Sequence, residues 1–231
     1  MTKKEERGAV EDAGRLSTLV PEAFELADQI AREGIEREAK LGSKVSCAKG
    51  CAACCRWLVC VSIPEALYIH ERLRTCECRR RDEVFHRFLR IKETLEENGL
   101  AEALATELTR GQSDLTFDHR LHLLSRRYHA LQIPCPFLEK DACSIYSWRP
   151  TKCRQYYVTS PPHWCVDPFK KNVRRLSLGH SVPDLLAEIA ADLLGEPRRL
   201  IALPLVLDWA LEHNHLTGLK WPRQQLLARL G

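Results

Sequence analysis

The sequence lacks any apolar run long enough to cross a membrane. The longest, Leu200 to Leu207, contains Pro204 and ends at Asp208, far short of the roughly 20 residues that a spanning helix needs. The first fifteen residues are charged and contain no apolar stretch of signal-peptide length. These two absences predict a cytoplasmic protein with no membrane partner, and in that compartment thiols stay reduced.

The motifs of several common catalytic classes are also missing. The chain contains no glycine-rich phosphate loop and no serine nucleophile motif. Its charge is nearly balanced, with 35 Lys and Arg against 31 Asp and Glu and a net charge of +4, so the charge does not indicate a nucleic acid partner. With 231 residues, 45% of them hydrophobic, the chain is long enough to bury a core without help from a metal.

Cysteine is what the sequence has in excess, with 11 residues in 231. In a reducing compartment this density indicates metal binding or catalysis rather than disulfides. Eight of these cysteines form two groups and are the predicted metal ligands: Cys47, Cys51, Cys54 and Cys55 in the first group, and Cys135, Cys143, Cys153 and Cys165 in the second. Of the other three, Cys60 is predicted to be a buried apolar residue, and Cys76 and Cys78 to lie in an exposed helix connection.

Hydrophobic periodicity predicts a mainly α fold with one short β-hairpin, in which helices surround irregular cysteine-rich loops. The predicted helices cover residues 18–40, 62–74, 82–97, 118–131, 183–194, 204–213 and 222–230, and the hairpin joins residues 135–138 to 143–146. We expect a polar, disordered N-terminus at residues 1–16. Residues 17–231 are predicted to form a single metal-binding domain, with its cysteine-cluster core at about 45–180 and a helical C-terminal part at 181–231.

The spacing of the cysteines bears on the identity of the metal. Structural zinc sites usually take two ligands from each of two tight knuckles, and the second group lacks a knuckle, because 7, 9 and 11 residues separate its members. Iron–sulfur centres accept one compact run with a remote cysteine, so we favour an iron–sulfur cluster, with 4Fe–4S preferred, and keep zinc open. Because adjacent side chains diverge, Cys54 and Cys55 indicate two metals, or a cluster that one of the pair does not ligate.

A complete metal coordination sphere of four thiolates also requires a cysteine from the second group. We therefore expect at least one of its cysteines to lie within metal-sharing distance of Cys47, Cys51 or Cys54. His163, two residues before Cys165, is a further ligand candidate or a hydrogen-bond donor to a ligand. Basic residues flank the thiols and are expected either to lower thiol pKa values or to form a solvated surface: Lys44, Lys49, Arg56, Lys152 and Arg154.

The combined pattern resembles the YkgJ-like cysteine-cluster family, which is described as zinc- or iron-chelating. The family's opening Cys-x2-3-Cys-x2-Cys-Cys is matched by the first group. Its second part is similar to the sequence of this chain at Cys135-Pro136-Phe137-Leu138, Cys143-Ser144-Ile145-Tyr146, Arg149-Pro150 and Cys153-Arg154, and its last cysteine to Cys165. The resemblance covers about residues 45–180 and implies that the eight cysteines act as a set. Some longer relatives are associated with lysine methylation of flagellin, which implies a role in protein modification.

These observations favour two functions and leave a third open. The first is an iron–sulfur protein with a redox or cluster-dependent role in modifying another protein, as an oxidoreductase or a cluster-dependent enzyme. The second is a structural zinc module that mediates protein interaction without catalysis. The run from Cys47 to Cys54 also fits the radical S-adenosylmethionine pattern, but the repeated strand–helix units of those enzymes are missing after Cys54. In the first two cases the expected partner is another protein.

Overall fold

The computed structural model describes residues 13–109 and 115–230, and side chains at all of these positions except 78–79 and 115–117. Within these residues the chain is mainly helical, as predicted, with three short antiparallel strand pairs. The α-helices are α1 (Val20–Lys40), α2 (Ile63–Arg74), α3 (Cys78–Glu97), α4 (Ala101–Thr109), α5 (Leu115–Ala130), α6 (Thr151–Arg154), α7 (Val182–Leu194), α8 (Val206–Glu212) and α9 (Arg223–Leu227). The strands are β1 (Ala13–Gly14), β2 (Cys60–Ser62), β3 (Leu138–Glu139), β4 (Ala142–Cys143), β5 (Leu200–Ala202) and β6 (Trp221–Pro222). No helix among the described residues is long and apolar enough to cross a membrane.

Local sequence signals determine where several helices begin and end. A capping box begins α2: Glu65 N donates to Ser62 Oγ at 3.5 Å, and Ser62 N donates to Glu65 Oε2 at 3.1 Å. Gly195 ends α7 in the left-handed conformation with a φ of 66°, which glycine adopts without strain. The predicted boundaries of α1, α2 and α7 hold within two residues because these signals are local.

Helix α4 and strand β5 are among the elements that were not predicted, and helix α3 begins earlier than expected. Helix α4 buries Leu104 and Leu108 on one face, but it is short and directly follows the Asn98-Gly99 stop of α3. Strand β5 pairs antiparallel with β2, so that Cys60 lies opposite Ala202. A three-residue strand of this kind is stabilised by a partner distant in sequence, which local patterns do not identify. Helix α3 starts at Cys78, four residues before the predicted start at 82.

The predicted hairpin is confirmed, in a shorter form. Leu138 pairs with Cys143 and Glu139 with Ala142. Lys140 and Asp141 form the two-residue loop, with φ values of 48° and 59°, as a type I′ turn requires. Cys135 precedes β3 rather than lying in it, so it reaches the site from a loop.

Residues 13–16, which were predicted to be disordered, adopt a defined structure. Ala13 and Gly14 pair with β6, and Leu16 is fully buried in the same cluster as Leu226. The predicted disordered segment 1–16 is therefore too long, because residues 13–16 pack against the C-terminal end of the chain. Residues 1–12 lie outside the described part of the structure.

Two apolar clusters form the core, and the cysteine segments pack against both. The larger joins Leu16, α2 and α7, with Cys135 and Cys143 at its edge. The smaller joins α3, α4 and α5, with Leu58 and Cys60 at its edge. The candidate metal ligands are thus positioned where irregular loops cross a rigid helical framework.

Candidate metal centre

Hydrogen bonds hold the two cysteine groups together. The Cys135 amide donates to the Cys55 carbonyl at 2.7 Å, and the Trp57 indole Nε1 donates to the Cys165 carbonyl at 2.8 Å. At the start of the first group, the Ser46 amide donates to the Val158 carbonyl at 2.9 Å. Residues in or beside the first group therefore hydrogen-bond to the chain in or beside the second group at three separate points.

Cys54 is the residue at which the two groups meet. Its thiol interacts electrostatically with Cys47 in the first group and with Cys135, Cys143, Cys153 and Cys165 in the second. Cys165 also interacts with Cys47 and Cys51. Pairwise interactions thus connect all eight predicted ligands. Cys54 alone interacts with six of the other seven, one of which is its neighbour Cys55.

The interactions fall into two sets that share Cys54. Cys47, Cys51 and Cys165 interact with one another, and Cys54 interacts with Cys47 and Cys165. Cys135, Cys143 and Cys153 form the other set, and Cys54 also interacts with each of them. Each set of three needs one further thiol to supply the four ligands of a tetrahedral zinc ion or a cubane cluster, and Cys54 with its neighbour Cys55 offers two.

The expectation that Cys54 and Cys55 diverge is wrong. The two thiols interact directly, and this contact is the largest cause that raises the Cys54 pKa. The reason is that the pair lies in consecutive turns, in which Cys55 N donates to Ala52 O and Trp57 N to Cys54 O. Adjacent side chains point to opposite faces in a strand, but not in tightly wound backbone.

Distinct elements position the second group. Cys143 lies on β4, and Cys165 is buried in a short 3-10 helix, Pro162–Val166. Cys153 lies on α6, whose first residue is held by a buried carboxylate: Thr151 N and Oγ1 donate to Glu65 Oε1 at 2.7 and 2.8 Å. The capping box of α2 therefore also fixes the position of Cys153.

Burial keeps most of these thiols protonated in the absence of a metal. Desolvation raises the pKa of Cys153 to about 12 and that of Cys165 to about 11, and it also raises the pKa values of Cys47, Cys135 and Cys143. The flanking basic residues therefore do not hold the pKa values of these thiols below the ordinary range, because burial raises them. Arg154, one of the expected residues, instead pairs with Asp28 at 2.7 Å.

The cysteine side chains are of the chemical type that binds metal as thiolates, but they do not form a complete coordination site in this structure. In the described part of the chain, no three or more His, Cys, Asp or Glu side chains form a ready-made metal site. Two buried hydrogen-bond donors, Arg149 Nε and Tyr156 Oη, lack a partner, and both side chains interact electrostatically with Cys54 and Cys47. Metal-bound thiolate sulfur is an acceptor for such donors.

The remaining candidates lie at the margins of this site. Burial raises the pKa of Cys60 to about 12, and the residue packs at the edge of the smaller core cluster. Cys76 Sγ donates to Arg72 O at 3.3 Å at the end of α2, and the Cys78 side chain lies outside the described structure. His163 is exposed, and its ring stands edge-on to Trp164 at 6.5 Å.

Sequence reasoning missed three residues that contribute to the site: Trp57, Arg149 and Glu65. Arg149 enters the sequence analysis only through the family resemblance. Each of the three residues acts on a segment far away in the sequence, so spacing alone does not reveal its role. The neighbouring cysteines were the available signal for Trp57 and Arg149.

The comparison with known proteins does not identify a family for this chain. No protein-family model matches the chain, and no curated protein or solved structure matches it significantly. The donor set, its burial and its hydrogen-bonding neighbours are therefore the basis of any functional assignment.

Proposed function

We propose that this protein binds metal through its cysteine groups, as an iron–sulfur protein with a redox or cluster-dependent role in modifying another protein. The observation that carries the proposal is the position of Cys54, whose thiol interacts with thiols from both groups. Eight free thiols linked in this way supply the soft ligands that iron–sulfur centres and zinc require.

Apolar packing alone does not account for this arrangement. A cysteine that serves only as a small apolar residue needs no polar neighbour, yet the unpartnered Arg149 Nε and Tyr156 Oη lie beside these thiols. Burying hydrogen-bond donors without acceptors costs about 1–3 kcal/mol each. Thiolates held by a metal would accept these hydrogen bonds and remove that cost.

The position of the thiols relative to the surface supports a role that involves another protein. Cys51 is exposed whereas Cys165 is buried, so a centre held by both would reach from the interior to the surface. Two exposed apolar side chains flank the second group: Val166, 56% exposed, follows Cys165, and Tyr146, 38% exposed, follows Cys143 by three residues. Exposed apolar side chains beside such a centre suit contact with a partner protein.

A structural zinc module is the second candidate, and one observation favours it. The interacting thiols form two sets of three that both interact with Cys54. With Cys55, which contacts Cys54, the eight thiols would supply four thiolates for each of two tetrahedral ions. In this case the metal stabilises the loops, and the protein presents its helices to a partner without catalysis. The donor set is the same for both candidates, so the metal itself distinguishes them.

Metal analysis of anaerobically purified protein tests the proposal. We expect iron and acid-labile sulfide in similar amounts, a brown colour, and loss of at least half of the iron and sulfide in Cys54→Ser. Cys76→Ser is the matched control and should keep the full metal content, because its thiol bonds to Arg72 O. Zinc without sulfide would favour the structural module. Protein that binds neither metal, even after anaerobic reconstitution with iron and sulfide or with zinc, would contradict both functions.

A further inference from the structure

Two neighbouring arginines near the second cysteine group have very different surroundings. Arg154 is fully engaged: its Nε donates to Arg149 O at 3.0 Å, its Nη1 to Asp28 Oδ2 at 2.7 Å, and its Nη2 to Ser147 O. Its guanidinium also lies over the Phe24 ring, 4.1 Å from the centroid. These contacts tie the loop before α6 to α1, so Arg154 has a structural role.

Arg149 has no such set of partners. Its guanidinium stacks on the Tyr146 ring, with Cζ 3.8 Å from the centroid, and interacts with the Tyr146 and Tyr157 side chains. Its Nε is buried without a hydrogen-bond partner, and among the described residues no carboxylate forms an ion pair with it. The Arg149 side chain thus hydrogen-bonds with the Tyr146 and Tyr157 side chains, but its Nε has no acceptor, and among the described residues its charge has no carboxylate counter-ion.

The groups that face Arg149 from the surrounding loops are thiols. Arg149 interacts electrostatically with Cys47 and Cys54 of the first group and with Cys143 and Cys153 of the second. A half-buried cation without a counter-ion is costly, whereas four thiolates around Zn²⁺ or a 4Fe–4S cluster leave the centre with a net negative charge. Placing the Arg149 cation beside such a centre would give the cation a counter-charge and would offset the negative charge of the thiolates.

We propose that Arg149 is a positioning residue of the metal centre, donating from Nε to a metal-bound cysteine sulfur and offsetting the negative charge of the thiolates. The inference rests on the proposed function and adds to it a residue that is not a ligand. Hydrogen bonds to ligating sulfur raise the reduction potential of iron–sulfur clusters and hold the ligands in place. Tyr146 fixes the plane of the guanidinium by stacking on it.

Three variants separate the role of Arg149 from general surface charge. Arg149→Met removes the charge and the donor, whereas Arg149→Lys keeps the charge but lacks the planar Nε donor. Lys49→Met is the control, since Lys49 is an exposed cation near the same Tyr146 ring, at 5.7 Å. Each protein is reconstituted anaerobically with iron and sulfide, or with zinc if the unaltered protein holds zinc. Metal affinity is then measured by competition with a chelator.

We expect Arg149→Met to lose roughly 10–100-fold in metal affinity, the usual effect of removing a partner of a metal ligand. Arg149→Lys should lie between it and the unaltered protein, and Lys49→Met should be unchanged. If the centre contains iron, the reduction potential of both Arg149 variants should become more negative. Circular dichroism reports whether the helices persist, and if Arg149→Met does not fold, Arg149→Lys decides the question.

The outcomes distinguish this inference from the proposed function. If the unaltered protein binds metal and both Arg149 variants match it in affinity and spectrum, the role of Arg149 is wrong and the metal function stands. An equal loss in Lys49→Met would also overturn it, because the effect would then be general surface charge. If the unaltered protein takes up no metal, the proposed function fails and the inference with it.

Discussion

The Cys135 amide donates a 2.7 Å hydrogen bond to the Cys55 carbonyl, which joins the two cysteine groups through the backbone. This bond does not depend on a metal, so the fold itself brings the groups together. A bound metal would then need to draw the thiols inward rather than assemble distant segments.

Removal of the metal is expected to loosen the cysteine loops and leave the framework folded. Residues 45–60 and 135–165 consist largely of turns and short helices, so their stability should depend on metal ligation. Helix α7 packs Leu186 and Ile189 into the larger core and should keep its protection. Hydrogen exchange before and after chelation measures both. Unchanged protection in the two loops would show that they do not depend on a metal.

Helix caps and turns were predictable because their signals are local. The capping box at Ser62 and Glu65, the stop at Gly195 and the turn at Lys140-Asp141 each need only a few adjacent residues. The pairing of β2 with β5 was not predictable, since both strands are short and distant in sequence. The list of eight thiols likewise came from spacing, which does not show which thiols interact.

The roles of the two arginines near the second group also depend on contacts that the sequence does not reveal. Arg154 was expected to act on the thiols, but Asp28 of α1 neutralises it. Arg149 lacks a carboxylate partner and interacts with the thiols instead. The two residues are five apart in the sequence, and only the position of α1 separates their roles.

The stability of the metal-free protein should fall in mild alkali. The pKa values of Cys165 and Cys153 are raised from 9.0 to about 11 and about 12, so the fold favours the neutral thiols. Stability is therefore fully present below pH 9 and is lost as the pH rises through 11 and 12. The slope is about 1.4 kcal/mol per pH unit for each thiol that ionises on unfolding. Denaturant titrations from pH 8 to pH 11 measure it.

Bound metal should reverse this dependence. The ligating thiols are then deprotonated in the fold and take up protons on unfolding below pH 9, so stability should rise with pH up to that point. The same titrations on metal-loaded protein provide the comparison. If loaded and metal-free protein show the same dependence on pH, the thiols are not the ligands.

Glu65→Gln is expected to destabilise the fold and weaken metal binding. Glu65 Oε1 accepts from Thr151 N and Oγ1, and Oε2 accepts from Ser62 N and Oγ, at 2.7 to 3.1 Å. A glutamine amide has one acceptor oxygen, so it can serve only one of these two pairs. We expect a loss of about 1–3 kcal/mol in the free energy of unfolding and reduced metal affinity, because Cys153 follows Thr151 by two residues.

Glu97→Gln is the control for this prediction, since Glu97 is exposed at the end of α3. Chemical denaturation and chelator competition should give values close to those of the unaltered protein. If Glu65→Gln were as stable and as tightly metal-bound as this control, the link between α2 and α6 would be unimportant for the site.

The number of centres is expected to be two, because the thiols interact in two sets around Cys54, and Cys55 brings the number of thiols to eight. Cys165 belongs to the set with Cys47 and Cys51, and Cys143 to the set with Cys135 and Cys153. Cys165→Ser and Cys143→Ser should therefore each lose about half of the bound metal, and the double variant should lose all of it. Metal content per chain, measured with circular dichroism to confirm retained helices, gives the answer. Complete loss in either single variant would mean one shared centre, in which the Cys54–Cys55 pair and both sets bind a single metal cluster.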